Sequence, residues 1–144
     1  IHQTLKDLAG KYEYVIADTA GRDSRELRTG MTVANILISP ARPSQYDLDT
    51  LPHLAEVYSQ AKDLNPKLAG YLVLNLCPTN PVIKEVAAAK EFLADYPEFK
   101  LANTLVYDRK AYRDAISEGK SVLEWTDAKA KHEIEMLVEE IING

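Results

Sequence analysis

Asp18 and Gly21 are the residues best placed to do chemistry. They close the segment Tyr14-Val15-Ile16-Ala17-Asp18-Thr19-Ala20-Gly21, an apolar run that ends in an acid and turns at a glycine. A carboxylate can hold magnesium through bound water, because this hard cation favours oxygen ligands and keeps its hydration shell. Glycine lets a backbone N–H approach a phosphate with no side chain between them. The D-x-x-G spacing therefore suits a metal-held terminal phosphate. A ligand-free turn at the end of a strand would use the same residues, so spacing alone leaves both readings open. The usual companion, a G-x-x-x-x-G-K-[ST] loop whose amides cradle phosphates, occurs nowhere in the 144 residues.

Other residues add weaker signals. Asn75 ends the apolar run Leu72-Val73-Leu74, and its amide can both donate to and accept from a purine edge. A loop-capping asparagine would look the same. Asn75-Leu76-Cys77-Pro78 is not N-K-x-D, which disfavours guanine. Arg109, Lys110 and Arg113, with Lys120 nearby, form the densest basic patch. It reads as a solvated helix face or as a surface for a phosphate backbone. Cys77 has no evident activating partner, and His2, His53 and His132 are scattered over separate helical stretches. No Cys/His metal cluster and no G-x-S-x-G elbow is present.

The elements that must position these residues alternate. Helical spacing covers residues 1–8, 25–33, 47–64, 82–95, 109–118 and 127–142. Strand signals cover 12–17, 35–39, 68–75 and 100–106. In the last helix, Ala130, Ile134, Leu137, Val138 and Ile141 are expected inward, with Glu133, Glu135, Glu139 and Glu140 outward. Strands separated by helices imply right-handed crossovers and a parallel sheet flanked by helices on both faces, a three-layer α/β/α fold. Ligand groups then belong just after the strand ends, at residues 18–21, 39–44, 75–80 and 107–109.

Composition sets the frame. A chain of 144 residues suits one domain, and 46% hydrophobic with 27% charged residues is ordinary for a globular protein. The net charge of -5 gives no global pull toward nucleic acid. No apolar run approaches the roughly 18 residues of a membrane span, and one cysteine excludes an internal disulfide. These features fit a cytoplasmic protein without membrane association. The chain opens at Ile1 within a helical pattern rather than at a Met, which reads as a fragment, a processed product or a partial record.

Taken in order, four segments resemble the ParA/MinD-type P-loop ATPases, particularly the small plasmid-partition proteins typified by ParF. Residues 14–21 resemble the Walker B strand and switch II. Residues 38–48, with Pro40, Pro43-Ser44 and Asp47, resemble the family's strand, P-x-x-P-S turn and helix start. Residues 72–75 resemble the strand whose terminal Asn contacts adenine. Residues 109–122, with Arg109, Tyr112, Gly119, Ser121 and Val122, resemble the R-x-x-Y…G-x-S-V segment and lead into a similar closing helix at 127–135.

The resemblance implies a P-loop NTPase-like fold, with residues 1–144 as the carboxyl-terminal portion of a ParA-like nucleotide-binding domain. The strand and P-loop that open that domain are missing. It implies ATP-driven homodimers, nonspecific DNA binding and a nucleoid-associated location. It also implies hydrolysis stimulated by a ParB- or ParG-like centromere-binding partner during plasmid or chromosome partition. ATP and magnesium would be the cofactors. Asp18 would be the Walker B acid and magnesium ligand through water, and Gly21 the switch II glycine. Asn75, Pro43, Asp108 and Arg109 would bind the nucleotide, with Asn75 on adenine and Arg109 in the adenine-side segment, and Arg109, Lys110 and Arg113 would face DNA. Without the Walker A lysine and the switch I acid these residues are half a site, so the 144 residues alone should not hydrolyse ATP. The alternative is a truncated binding or dimerisation module without ATPase activity. A receiver-like domain with Asp18 as phosphoacceptor is a third reading. It would want further acids and a lysine at later strand ends, which here offer Ser39, Asn75 and Tyr107-Asp108.

Overall fold

A computed structural model describes residues 1–20, 23–80 and 82–144; Gly21, Arg22 and Pro81 lie outside the described residues. In chain order the elements are α1 His2–Ala9, α2 Arg25–Met31, β1 Ile36–Ala41, α3 Gln45–Leu48, α4 Leu51–Leu64, β2 Ala69–Leu74, α5 Glu85–Leu93, β3 Lys100–Leu101, α6 Lys110–Ser117, a 3₁₀ turn Val122–Glu124 and α7 Ala128–Asn143. The sheet order is β1-β2-β3. β2 and β3 run parallel, with Tyr71 opposite Lys100 and Leu72 opposite Leu101. Between β1 and β2 the Ala69 amide donates to Asn35 O and the Asn75 amide to Ala41 O. The stagger is equal at both ends, which is parallel pairing. Central β2 buries Tyr71, Leu72, Val73 and Leu74, as a strand covered on both sides must. The expected α/β fold, a parallel sheet with helices around it, is what forms.

The expected strand over 12–17 does not. Tyr12 and Tyr14 are exposed, and Ile16 is 94% exposed. A strand exists through hydrogen bonds to a neighbour, and among the described residues no strand pairs with this run. β-prone composition gives the capacity for a strand, but the neighbour decides whether it forms. Asp18 therefore ends an exposed, irregular segment rather than a buried strand.

Other boundaries shift for local reasons. β1 runs through Pro40, because an edge strand tolerates the missing N–H. The expected helix 47–64 breaks in two. Pro52 cannot donate to Leu48 O, so α3 stops at Leu48 and α4 starts afresh at Leu51 with proline in its first turn. β3 is two residues long. The pairing resumes where Ala102 N donates to Leu72 O and Val106 N to Leu74 O. Between them, the amides of Asn103 and Thr104 turn to Glu140 at 2.6 and 2.9 Å. α6 ends before Gly119, whose φ of 67° closes the helix in the left-handed region.

The chain packs as two compact units, one of residues 1–37 and 50–70, the other of residues 38–49 and 71–144. In the first, the Ser24 hydroxyl caps α2 by accepting from Leu27 N. Asn65 Nδ2 donates to Met31 O and Ala34 O, and buried Tyr58 donates to Leu68 O. In the second, Ala111, Val122 and Ala130 form an apolar cluster covered by Tyr112, Trp125 and Ile134. Asp127 caps α7 by accepting from Lys129 N and Ala130 N. One face of α7 differs from expectation: Glu133 is buried and Val138 is 53% exposed.

Candidate functional site

In the second unit the two well-formed strands end in polar turns. After β1 comes Arg42-Pro43-Ser44, closed by Arg42 N donating to Asp47 Oδ2 at 2.9 Å. After β2 comes Asn75-Leu76-Cys77. Leu76 sits at φ 52°, a conformation disfavoured for a residue with a Cβ. Asn75 Oδ1 steadies it by accepting from Leu76 N at 2.9 Å. That leaves the Asn75 Nδ2 donor without a partner among the described residues. Cys77 N then donates to Val106 O at 3.0 Å, and Asp108 N to Cys77 O at 2.8 Å. The turn carrying Asn75 is thus laced to the segment carrying Asp108 and Arg109.

The three basic residues divide. Arg109 is 22% exposed and spent inside the fold: its Nε and Nη2 reach Glu133 Oε1 at 2.7 and 2.6 Å. Its guanidinium also lies 5.2 Å from the centre of the Tyr107 ring. Glu133 Oε2 accepts from the Tyr112 hydroxyl at 3.1 Å and from Tyr107 N at 3.3 Å. The charged partner holds the Arg109 guanidinium above its ordinary pKa. Burial, then the hydrogen bond to Glu133, pushes the Tyr112 phenol up. Lys110 and Arg113 are 80% and 64% exposed and pair with Asp114 and Asp108. Exposed pairs of this kind are weak, so both cations remain free to exchange partners. Glu133 escaped the sequence reading because its neighbours are charged. The available signal was its register, three residues after Ala130 and four before Leu137.

Asp18 belongs to the first unit. It is exposed and has no side-chain partner among the described residues, and Gly21 lies outside those residues. Among the described residues no group of three or more His, Cys, Asp or Glu could cage a metal. A lone free carboxylate fits magnesium held through water rather than a full protein cage. Asn75 Nδ2 fits the acceptor nitrogens of a purine edge. Pro43 faces elsewhere: with Ser44, Leu48 and Phe92 it lines a cavity of about 620 Å³ flanked by Glu85, Glu91 and Asp95. Those carboxylates would repel phosphate. Cys77 is fully buried, and burial pushes its thiol up to about 11.

Sequence comparison adds the rest. The model of the family "ATPase MipZ" matches residues 1–65. A ParA family protein of Mycoplasma pneumoniae is 29% identical over 73 residues, 51% of this chain and 27% of that protein. The ParA family protein MG470 of Mycoplasma genitalium is 30% identical over the same shares. The maintenance of carboxysome distribution protein A of Halothiobacillus neapolitanus is 26% identical over 97% of this chain and 65% of its own length. The chain is similar to MipZ- and ParA-type proteins. The MipZ match takes in Asp18, Gly21 and Pro43 and stops before Asn75. The chain spans about a quarter of the Mycoplasma ParA-type proteins and less than two thirds of the carboxysome one. Among the described residues no helix is long and apolar enough to cross a membrane.

Proposed function

We propose that these residues form part of a ParA-type nucleotide-binding domain, in an ATPase that positions or segregates a cellular cargo. The observation that carries the reading is the Asn75 turn: a free amide donor at the carboxyl end of a central parallel strand, fixed to the Asp108–Arg109 segment. That is where open α/β sheets take ligands. Asn75 would read the adenine edge, with Asp108 and the Arg109 backbone beside it, and Pro43 would shape the neighbouring turn. Asp18 would hold magnesium through water, with Gly21 near the terminal phosphate. Bound magnesium supplies charge neutralisation on the phosphates. ATP-dependent pairing of two copies, nonspecific DNA contact through Lys110 and Arg113, and a ParB- or ParG-like partner complete the reading. The carboxysome relative's name makes a non-plasmid cargo equally compatible.

The test is calorimetric titration of the protein translated from the complete reading frame. ATP should bind in preference to GTP. Asn75→Ala should weaken ATP binding roughly tenfold and narrow that preference, as loss of one buried ligand hydrogen bond does. Equal affinity for the two nucleotides in the unaltered protein would contradict the reading.

A further inference from the structure

Glu133 is the buried carboxylate of α7, on a helix where Glu135 and Glu139 are exposed and Glu140 is half-buried. Its two oxygens gather four donors from three residues: two guanidinium nitrogens of Arg109, the hydroxyl of Tyr112 and the amide of Tyr107. Such a group costs several kcal/mol to desolvate unless its oxygens are satisfied, and here they are. The acceptors also reach beyond α7. Tyr107 bridges Cys77, and the Cys77 amide and carbonyl bond to Val106 O and Asp108 N. The path from Glu133 thus runs by a hydrogen bond to Tyr107 N, along the backbone to Val106 and Asp108, and by their hydrogen bonds to Cys77 in the Asn75 turn. Leu76, at φ 52°, is the strained point on that path. A strained residue persists where its surroundings over-determine it.

We infer that Glu133 is a positioning residue: it fixes Tyr107 and Arg109, and through the Cys77–Tyr107 bridge it sets the Asn75-Leu76 turn. The inference rests on the nucleotide reading above and deepens it, since it assigns base-side affinity to a residue of α7 that touches no ligand. Arg109 then serves mainly as a bracket inside the fold. Its guanidinium is occupied twice over, by the carboxylate and by the Tyr107 ring. Glu133→Gln keeps the shape but removes the charge, leaving Arg109 without its counter-ion and offering an amide donor to the Tyr107 N–H.

Steady-state ATPase measurements on the complete protein test this. Glu133→Gln should raise KM for ATP roughly tenfold with kcat held within about twofold, because the groups that handle phosphate are not on this path. Arg109→Gln should raise KM in the wild-type background and add little on top of Glu133→Gln, as coupled residues do. Tyr58→Phe, which deletes a buried hydrogen bond in the first unit, serves as the stability control and should leave KM unchanged. Hydrogen exchange at the Cys77 and Asp108 amides should quicken in Glu133→Gln but not in Tyr58→Phe. An unchanged KM in Glu133→Gln, or an equal rise in Tyr58→Phe, overturns the positioning role alone. Absence of ATP turnover in the wild-type protein overturns the nucleotide reading and this role with it.

Discussion

The Asn75-Leu76-Cys77 turn sets three chemistries side by side: a free amide donor, a leucine held left-handed and a thiol closed off from water. Cys77 is the simplest to test. Burial pushes its thiol up to about 11, so at pH 8 only ~1 in 1000 molecules carries the thiolate that alkylating reagents attack. Iodoacetamide at that pH should leave Cys77 unmodified in the native protein and modify it fully in urea, as read by mass spectrometry. Rapid labelling without denaturant would show that the strand-end turn opens readily. The passive character of this thiol was legible in the sequence, since neither His nor Lys stands near it in the chain. The role of Glu133 was not. A glutamate among Lys131, His132 and Glu135 looks solvated, and its partners Arg109 and Tyr112 lie more than twenty residues earlier in the sequence.

Among the elements, α7 acts as a clasp. Glu133 and Glu140 lie two turns apart on one face and grip residues 103–109 at both ends. Glu140 accepts from Asn103 N and Nδ2 and from Thr104 N and Oγ1 at 2.6 to 2.9 Å. Partial burial works to raise its pKa, but the four hydrogen bonds outweigh it and hold the carboxyl below its ordinary 4.5. A depressed carboxyl stabilises the fold at pH values above the unfolded pKa, and the contribution fades as pH falls through the folded value. The gap in urea stability between wild type and Glu140→Gln should therefore be open at pH 7 and narrow progressively as pH falls below the ordinary carboxylate range. A gap independent of pH would mean that Glu140 acts by packing alone. The same clasp explains what the sequence concealed. Residues 100–106 read as one strand, yet two amides in the middle of that run turn to a carboxylate on α7. Helices with apolar stripes and caps were readable because their signals are local. The run 12–17 misled because its strand depends on a neighbour.

For the molecule as a whole, the net charge is -5, and the exposed cations Lys110 and Arg113 stand paired with Asp114 and Asp108. The comparisons tie residues 1–65 to MipZ and nearly the whole chain to a carboxysome-distribution protein. What these residues offer is a strand-end turn carrying the Asn75 amide and an exposed Asp18 carboxylate with no side-chain partner among the described residues. The central proposal is that Asp18, exposed and without a side-chain partner among the described residues, serves magnesium and phosphate chemistry in the complete protein. ATP turnover by the protein from the complete reading frame, compared with its Asp18→Ala variant, tests it most directly. The account predicts magnesium-dependent hydrolysis that falls at least about a hundredfold in the variant. Turnover equal in the two proteins would contradict it.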